Sequence, residues 1–117
     1  MFHVIGARTP RIWICEGYAT GASLHEDRHE CVVVAFDCHN LLPVAETISR
    51  QWKPQNLCVM ADDDQQTPGN PGVTAAKEVA LKLGIEFFVP EFTANRPTWA
   101  TDFNDAVHLW RVKGAAA

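Results

Sequence analysis

The sequence predicts an α/β domain in which a central, mainly parallel, four-stranded sheet is flanked by helices. Two observations predict this class. Short apolar runs rich in β-branched and aromatic residues alternate along the chain with segments of helical spacing. The chain also has 117 residues and a hydrophobic content of 47%, which suits one packed core and therefore a single domain.

The four predicted strands are nearly continuous apolar runs, a pattern typical of strands that are buried on both faces of a sheet. Because helices alternate with them, the strands are expected to run mainly parallel. They are Arg11–Cys15 (RIWIC), Cys31–Phe36 (CVVVAF), Leu57–Ala61 (LCVMA) and Ile85–Val89 (IEFFV).

Three helices are predicted between these strands. The segment from Gly17 to about Glu26 has helical length but contains two glycines. A second helix is expected from Leu41 to about Trp52, with Asn40 at its N-cap position. The third ends at Gly84, a typical C-terminal cap, and has apolar residues at helical spacing, namely Val73, Ala76, Val79, Ala80 and Leu83.

Acidic residues follow two of the predicted strands directly. Glu16 and Gly17 come after RIWIC, and Asp62, Asp63 and Asp64 come after LCVMA. Ligands of open α/β sheets collect beyond the carboxyl ends of the strands, so these carboxylates are expected at one edge. Residues two apart in an extended segment face the same way, which predicts that Asp62 and Asp64 coordinate one ion while the side chain of Asp63 points away from it.

A divalent cation is the expected partner of this cluster, because the segment Ala61–Gly72 contains no Lys or Arg to neutralise it. Carboxylate oxygens favour hard ions, so Mg²⁺ is predicted, with Mn²⁺ as a substitute. Mg²⁺ commonly completes its shell with substrate phosphate, which indicates phosphoryl or nucleotidyl transfer. Gly17 fits this interpretation, since a glycine lets a ligand approach the backbone. A solvated acidic turn is the alternative interpretation.

Further polar residues are candidates for supporting positions. Asp102, Asn104 and Asp105 precede a final helical pattern that includes Val107 and Trp110. One of these three is expected to cap that helix, and a metal-related role for Asp102 or Asp105 is the alternative. Asp37 follows the second strand and is a candidate for the second coordination shell.

Zinc is not expected in this domain. Four cysteines show no Cys-x-x-Cys spacing, which argues against a zinc ribbon and against a disulfide framework. Reduced core thiols are the main interpretation. A transition-metal site of His25 and His29 with Cys31 or Cys38 is the alternative considered.

The overall charge is −4, so the chain lacks the basic excess that attracts nucleic-acid backbones. Other parts of a longer protein are therefore expected to provide most of the binding to nucleic acid. The sequence contains neither a membrane-span pattern nor a secretory-signal pattern, and a cytoplasmic location without membrane contact is expected.

The order of these motifs resembles the Toprim domain of primases, topoisomerases, OLD-type nucleases and recombination mediators. The resemblance covers about residues 11–112 and rests on Glu16-Gly17, Ala35-Phe36-Asp37, Asp62-x-Asp64, Asn70-Pro71-Gly72 and the late Asp-Phe-Asn-Asp. Three sequence segments are most similar to the primase-type domain of plasmid and phage replication proteins. They are ICEGYATGASLHE, VVVAFDCHNLLPVAE and ADDDQQTPGNPGVTAAKEVA. The implied fold is a compact, Rossmann-like domain.

The resemblance implies that Glu16 acts in acid/base chemistry or metal binding and that Asp62 and Asp64 coordinate Mg²⁺. Asp102 would be the additional late acidic group, with Asn104 or Asp105 beside it. Thr20 is a departure, because some replicative primases carry an acidic residue four positions after the Glu. A second metal site is therefore expected to be weaker or built differently.

The function implied is RNA primer synthesis on single-stranded DNA, in which two divalent ions assist attack on a ribonucleoside triphosphate. The chain is expected to be a fragment, residues 1–117, of a multidomain primase. Neighbouring domains would bind the template and the nucleotides, a helicase is a candidate partner, and the isolated domain is expected to be silent. The alternatives are an OLD-type metal-dependent nuclease and a non-catalytic Toprim-like interaction module. A response-regulator receiver domain fits less well, because Glu16-Gly17 at the strand end does not suit it.

Overall fold

The computed structural model describes residues 1–62, 67–90 and 102. The predictions made for Asp64, Asn104 and Asp105, and for the final helical pattern, lie outside these described residues.

A five-stranded sheet forms the centre of the domain, with the strand order β1-β3-β2-β4-β5. Strands β3, β2, β4 and β5 are parallel to one another, whereas β1 pairs with β3 in the antiparallel direction. The strands are β1 (His3–Ile5), β2 (Arg11–Cys15), β3 (Cys31–Val34), β4 (Asn56–Met60) and β5 (Glu86–Phe88).

The fold class is confirmed, but the predicted number of strands was one too low. Strand β1 escaped prediction because it has only three residues and is partly exposed at the edge of the sheet. The second predicted strand also ends earlier than expected, at Val34. Phe36 has φ of 71° and lies outside the β region, so the strand cannot continue through it.

Three α-helices connect the strands. They are α1 (Tyr18–Arg28), α2 (Leu41–Trp52) and α3 (Pro71–Leu83). The first begins one residue later and ends two residues later than predicted. Gly21 does not break it, because a Cβ there would lie 2.8 Å from Cγ2 of Val34, so glycine allows α1 to lie close to the sheet.

The caps of α2 and α3 lie at the positions predicted from the sequence, but the side chain at the N-cap of α2 does not bond to the helix. Gly84 closes α3 with φ of 65°, as predicted. Asn40 occupies the N-cap position of α2 but makes no capping bond, because its amide group donates to the carbonyls of Met1 and Ala35. A short 3₁₀ turn, Cys38–Asn40, precedes the helix instead, and its N-cap is Asp37.

The core lies on both faces of the sheet, as predicted for strands buried on two sides. One face includes Ile14, Val33 and Val59 and packs against apolar residues of α2 and α3. The other includes Trp13, Val32 and Cys58 and packs against Leu24 of α1. Cys15, Cys31 and Cys58 are free and buried, which agrees with reduced core thiols.

Candidate metal centre at the carboxyl edge of the sheet

Three neighbouring parallel strands end level with one another. Cys15, the last residue of β2, pairs with Val34 of β3 and Met60 of β4. Glu16 follows β2 directly, and Asp62 is the second residue after β4. The predicted arrangement of these two carboxylates at one edge of the sheet is therefore present.

Backbone hydrogen bonds continue beyond the strands and fix this edge. The amide of Ala35 donates to the carbonyl of Cys15 at 2.8 Å, and the amide of Phe36 donates to the carbonyl of Glu16 at 2.6 Å. Across β4, the amide of Ala61 donates to the carbonyl of Phe88 at 2.8 Å. Glu16 and the residue before Asp62 are thus held by the sheet rather than by free loops.

The buried thiol of Cys15 is surrounded by negative charge. Burial raises the pKa of the Cys15 thiol well above its usual range, and the negative charges of Asp62, Asp102 and Glu16 raise the pKa further, in that order. Because such interactions fall with distance, Asp102, which is half-buried, belongs to the same region of the domain as Glu16 and Asp62.

Asp62 and Gly17 have distinct surroundings within this edge. Asp62 is half-buried, and its Oδ1 is shielded from solvent. Gly17 is the N-cap residue of α1 in an extended conformation with φ of −102°. A Cβ on Gly17 would meet no atom of the described residues within 4 Å, so neither backbone conformation nor packing against these residues explains a glycine there.

Asp37 lies after β3 and is engaged locally. Its carboxylate accepts from the backbone amide of His39 at 2.9 Å and lies 3.1 Å from Nδ1 of that residue. These hydrogen bonds lower the pKa of Asp37. Asp37 is exposed, and its assignment to a second coordination shell stays a prediction.

Cys38 and His39 complete a small group with Asp37. One potential ligand atom from each of the three residues lies within 4.8 Å of the other two. Partial burial raises the pKa of Cys38, and the negative charges of Glu16 and Asp37 raise this pKa further. In the sequence, His39 follows the same predicted strand as Asp37, and that position indicates that both face the crevice at the carboxyl edge.

The alternative metal site at His25 and His29 is not assembled in the described part of the chain. Nδ1 of His25 lies 2.9 Å from the carbonyl oxygen of Glu30. His29 is the C-cap residue of α1, with φ of 55°. The thiol of Cys31 lies 3.9 Å from the carbonyl oxygen of Gly6.

Thr20, one turn after Glu16, is buried in α1 with an exposed fraction of only 1%. Its hydroxyl has no hydrogen-bond partner among the residues that the structure describes. Burial rather than acidity characterises this position. Within the same described residues, no helix is both long and apolar enough to cross a membrane.

A mainly parallel α/β sheet with acidic residues at its carboxyl edge defines a class of α/β domains in which ligands collect at that edge. Comparison with known proteins identifies the family. A family model described as a Toprim domain matches residues 11–116. The chain belongs to the Toprim domain family.

Two curated relatives, both DNA primase TraC proteins of Escherichia coli, are similar to the chain. One is 39% identical over 100 residues, which cover 78% of this chain and 9% of the relative. The other is 33% identical over 110 residues, which cover 86% of this chain and 8% of the relative. The chain thus spans less than a tenth of the length of either relative, and its likeness is to the Toprim domain of a plasmid-type primase. No solved structure matches the chain significantly.

Proposed function

We propose that this chain is the Mg²⁺-dependent nucleotidyl-transfer domain of a DNA primase that makes RNA primers on single-stranded DNA. The observation that carries the proposal is the placement of Glu16 and Asp62 after neighbouring parallel strands that end level at the carboxyl edge, with Asp102 in the same region. Similarity to two DNA primase TraC proteins supports the reaction class.

The chemistry of the donor set fits a hard divalent cation. The converging groups are carboxylates, and oxygen ligands select Mg²⁺ or Mn²⁺ over soft transition metals. The combined negative charge that raises the pKa of Cys15 is the field that such a cation would neutralise. Zinc is not part of this proposal, and Glu16, Asp62, Asp64 and Asp102 are the proposed ligands.

Each residue has a proposed role at the reacting phosphate. Asp62, together with Asp64, holds Mg²⁺, while Glu16 accepts the proton of the attacking hydroxyl or shares the metal. A bound divalent ion supplies neutralisation of the triphosphate charge. Gly17 keeps the start of α1 open to a phosphate, which accounts for a glycine where contacts and conformation do not demand one. Asp37, Asn104 and Asp105 are proposed to support the ligands from the second coordination shell.

The rest of the priming reaction is assigned to neighbouring parts of a longer protein. The net charge of −4 is unsuited to binding a DNA backbone alone. Template and ribonucleoside triphosphates would therefore be held jointly with adjacent domains, with a helicase as a further candidate partner. The proposed location is cytoplasmic. The longer protein that contains this chain is proposed to be a plasmid-type or a phage-type primase.

The test is primer synthesis by the full-length protein that contains this chain, with single-stranded DNA, ribonucleotides and Mg²⁺. Glu16→Gln preserves side-chain size but removes the charge, so primer synthesis should fall by about two orders of magnitude or more. Template binding and thermal stability should be unchanged. The matched control is Glu46→Gln, which changes an exposed carboxylate of α2 and should retain wild-type activity.

Other outcomes separate the alternatives. Wild-type primer synthesis by Glu16→Gln would contradict the assignment of Glu16. Cleavage of single-stranded DNA with Mn²⁺ in place of primer synthesis would favour an OLD-type nuclease, whereas absence of all divalent-ion binding would favour a non-catalytic interaction module.

A further inference from the structure

Phe36 is an unusual residue at the carboxyl edge of the sheet. Its φ of 71° lies in the left-handed region, where a bulky residue is strained. Among the described residues, the other non-glycine positions with positive φ are His29, Lys53 and Asn70. His29 and Lys53 are helix C-caps, where left-handed backbone is common, and Asn70 is a residue type that tolerates this region. Phe36 caps no helix, so local secondary structure does not account for its conformation.

Burial does not account for Phe36 either. Its exposed fraction is 56%, although the preceding residues of β3 are fully buried. Solvation of an aromatic ring is unfavourable, so the fold loses free energy twice at this position, once through the backbone and once through the side chain. Such a combination beside a candidate catalytic residue indicates a functional constraint.

The backbone of Phe36 is tied to the candidate catalytic centre. Its amide donates to the carbonyl of Glu16 at 2.6 Å, which holds the backbone of Phe36 beside that residue. The ring also lines an open pocket of about 460 Å³, a volume in the range of small-molecule sites. The pocket is lined by Met1, Ala35, Phe36, Asp37, His39 and Asn40.

The composition of this pocket indicates which chemical group it would take. An exposed aromatic face stacks on the π-face of any base, while Nε2 of His39 and Oδ1 of Asn40, the side-chain atoms opposite those bonded within the domain, offer hydrogen-bonding groups to a base edge. The neighbouring carboxylates would hold the phosphates through a cation. A nucleotide is the ligand that has both parts, a flat base and an anionic phosphate group.

We propose that Phe36 is a nucleobase-stacking residue that positions a nucleotide beside Glu16. This inference rests on the proposed function, because it takes the acidic edge as the phosphate site. The base belongs either to the incoming ribonucleoside triphosphate or to the template strand, and both present the same aromatic face. Phe36 is thus a positioning residue that orients the substrate.

The first experiment reports on stacking without requiring catalysis. The full-length protein is mixed with Mg²⁺ and either 2-aminopurine riboside triphosphate or single-stranded DNA that contains 2-aminopurine. Stacking on the Phe36 ring should quench the fluorescence of the base, and Phe36→Ala should weaken the responsive probe's binding about 5- to 100-fold, the range typical of one stacked base. A response to the triphosphate identifies the incoming nucleotide, and a response to the DNA identifies the template.

Two substitutions separate stacking from a structural role. Phe36→Tyr keeps an aromatic face and should bind the probe within about twofold of wild type, whereas Phe36→Asn should lose binding like Phe36→Ala. Asn tolerates the left-handed region, so Phe36→Asn should leave the melting temperature unchanged or raise it. The control is Leu81→Ala, which removes an apolar side chain that is 85% exposed on α3 and should bind both probes normally.

Several results would overturn the inference. Phe36→Ala that binds both probes like wild type would exclude stacking. A marked fall in melting temperature for Phe36→Asn would instead assign the ring to stability. Failure of the proposed function would give a different result, because Glu16→Gln would then retain primer synthesis. The fluorescence of the probes with the Phe36 variants would still show whether Phe36 stacks on a base.

Discussion

The two edges of the sheet differ in the sign and in the use of their charges. At the amino edge, arginines lie over aromatic rings, with the guanidinium of Arg8 4.0 Å from the ring centre of Trp52. Arg11 and Arg28 lie 5.7 and 5.9 Å from the ring of Trp13. These cations pack against apolar surface and stabilise the fold.

The polar groups of the amino edge are also paired within the domain. The hydroxyl of Thr9 accepts from the amide of Cys31 at 2.9 Å, and the indole of Trp13 donates to the carboxylate of Glu30 at 3.0 Å. The carboxyl edge instead gathers like charges around Cys15 and keeps Phe36 strained and exposed. The comparison indicates that the amino edge serves stability, whereas the carboxyl edge gives up stability, as expected of the proposed binding site.

Removal of two of the proposed ligands should have the largest effect on Mg²⁺ binding. Asp62→Asn combined with Asp64→Asn removes two proposed ligands, so calorimetric titration should show Mg²⁺ affinity weakened about tenfold or more. Because neutralisation also relieves repulsion, the melting temperature should be unchanged or higher. Global unfolding of this variant would assign the two residues to structure instead. Asp63→Asn is the control and should bind Mg²⁺ normally.

A substitution at the amino edge should affect stability alone. Thr9→Val removes the oxygen that accepts from the amide of Cys31, and an unsatisfied buried amide costs roughly 1 to 3 kcal/mol. Denaturant unfolding should therefore show a lower free energy of unfolding, while Mg²⁺ affinity stays at the wild-type value. Weaker Mg²⁺ binding by this variant would break the separation between the two edges.

A substitution of Thr20 tests the carboxyl edge for an effect on stability alone. Its effect should be the smallest of those considered. Its hydroxyl is buried without a partner among the described residues, one turn from Glu16. Thr20→Val keeps the shape and removes the unsatisfied group, so the free energy of unfolding should rise by about 1 kcal/mol. Mg²⁺ affinity should not change. A loss of affinity would instead link this hydroxyl to the metal site.

Much of the fold was predictable because its strands are buried on both faces and therefore form continuous apolar runs. The cap at Gly84 was readable for a similar reason, since its chemistry is local. Strand β1 was not predictable, because it has only three partly exposed residues and forms by pairing with β3, which is distant in sequence. Phe36 was assigned to a strand by its composition, whereas tertiary hydrogen bonding to Glu16 sets its backbone.

The candidate site was predictable in part. Glu16 and Asp62 follow apolar strands directly, so their placement at one edge required only the parallel topology. The nearness of Asp102 to this edge could not be read from residue spacing, because Asp102 is distant in sequence from Glu16 and Asp62. The family resemblance supplied that assignment. The roles of His39 and Phe36 depend on the turn after β3, which local sequence patterns do not specify.

The central claim is that the carboxyl edge is a divalent-cation site, and Mn²⁺-induced broadening of backbone NMR resonances tests it most directly. Substoichiometric Mn²⁺ should broaden the signals of Glu16, Gly17 and the segment from Asp62 to Gly72 first, because paramagnetic relaxation falls steeply with distance. Added Mg²⁺ should restore those signals by competing for the same ligands. Broadening confined to the amino edge around Thr9 and Arg11, with the signals of Glu16 and Asp62 unchanged, would contradict the account.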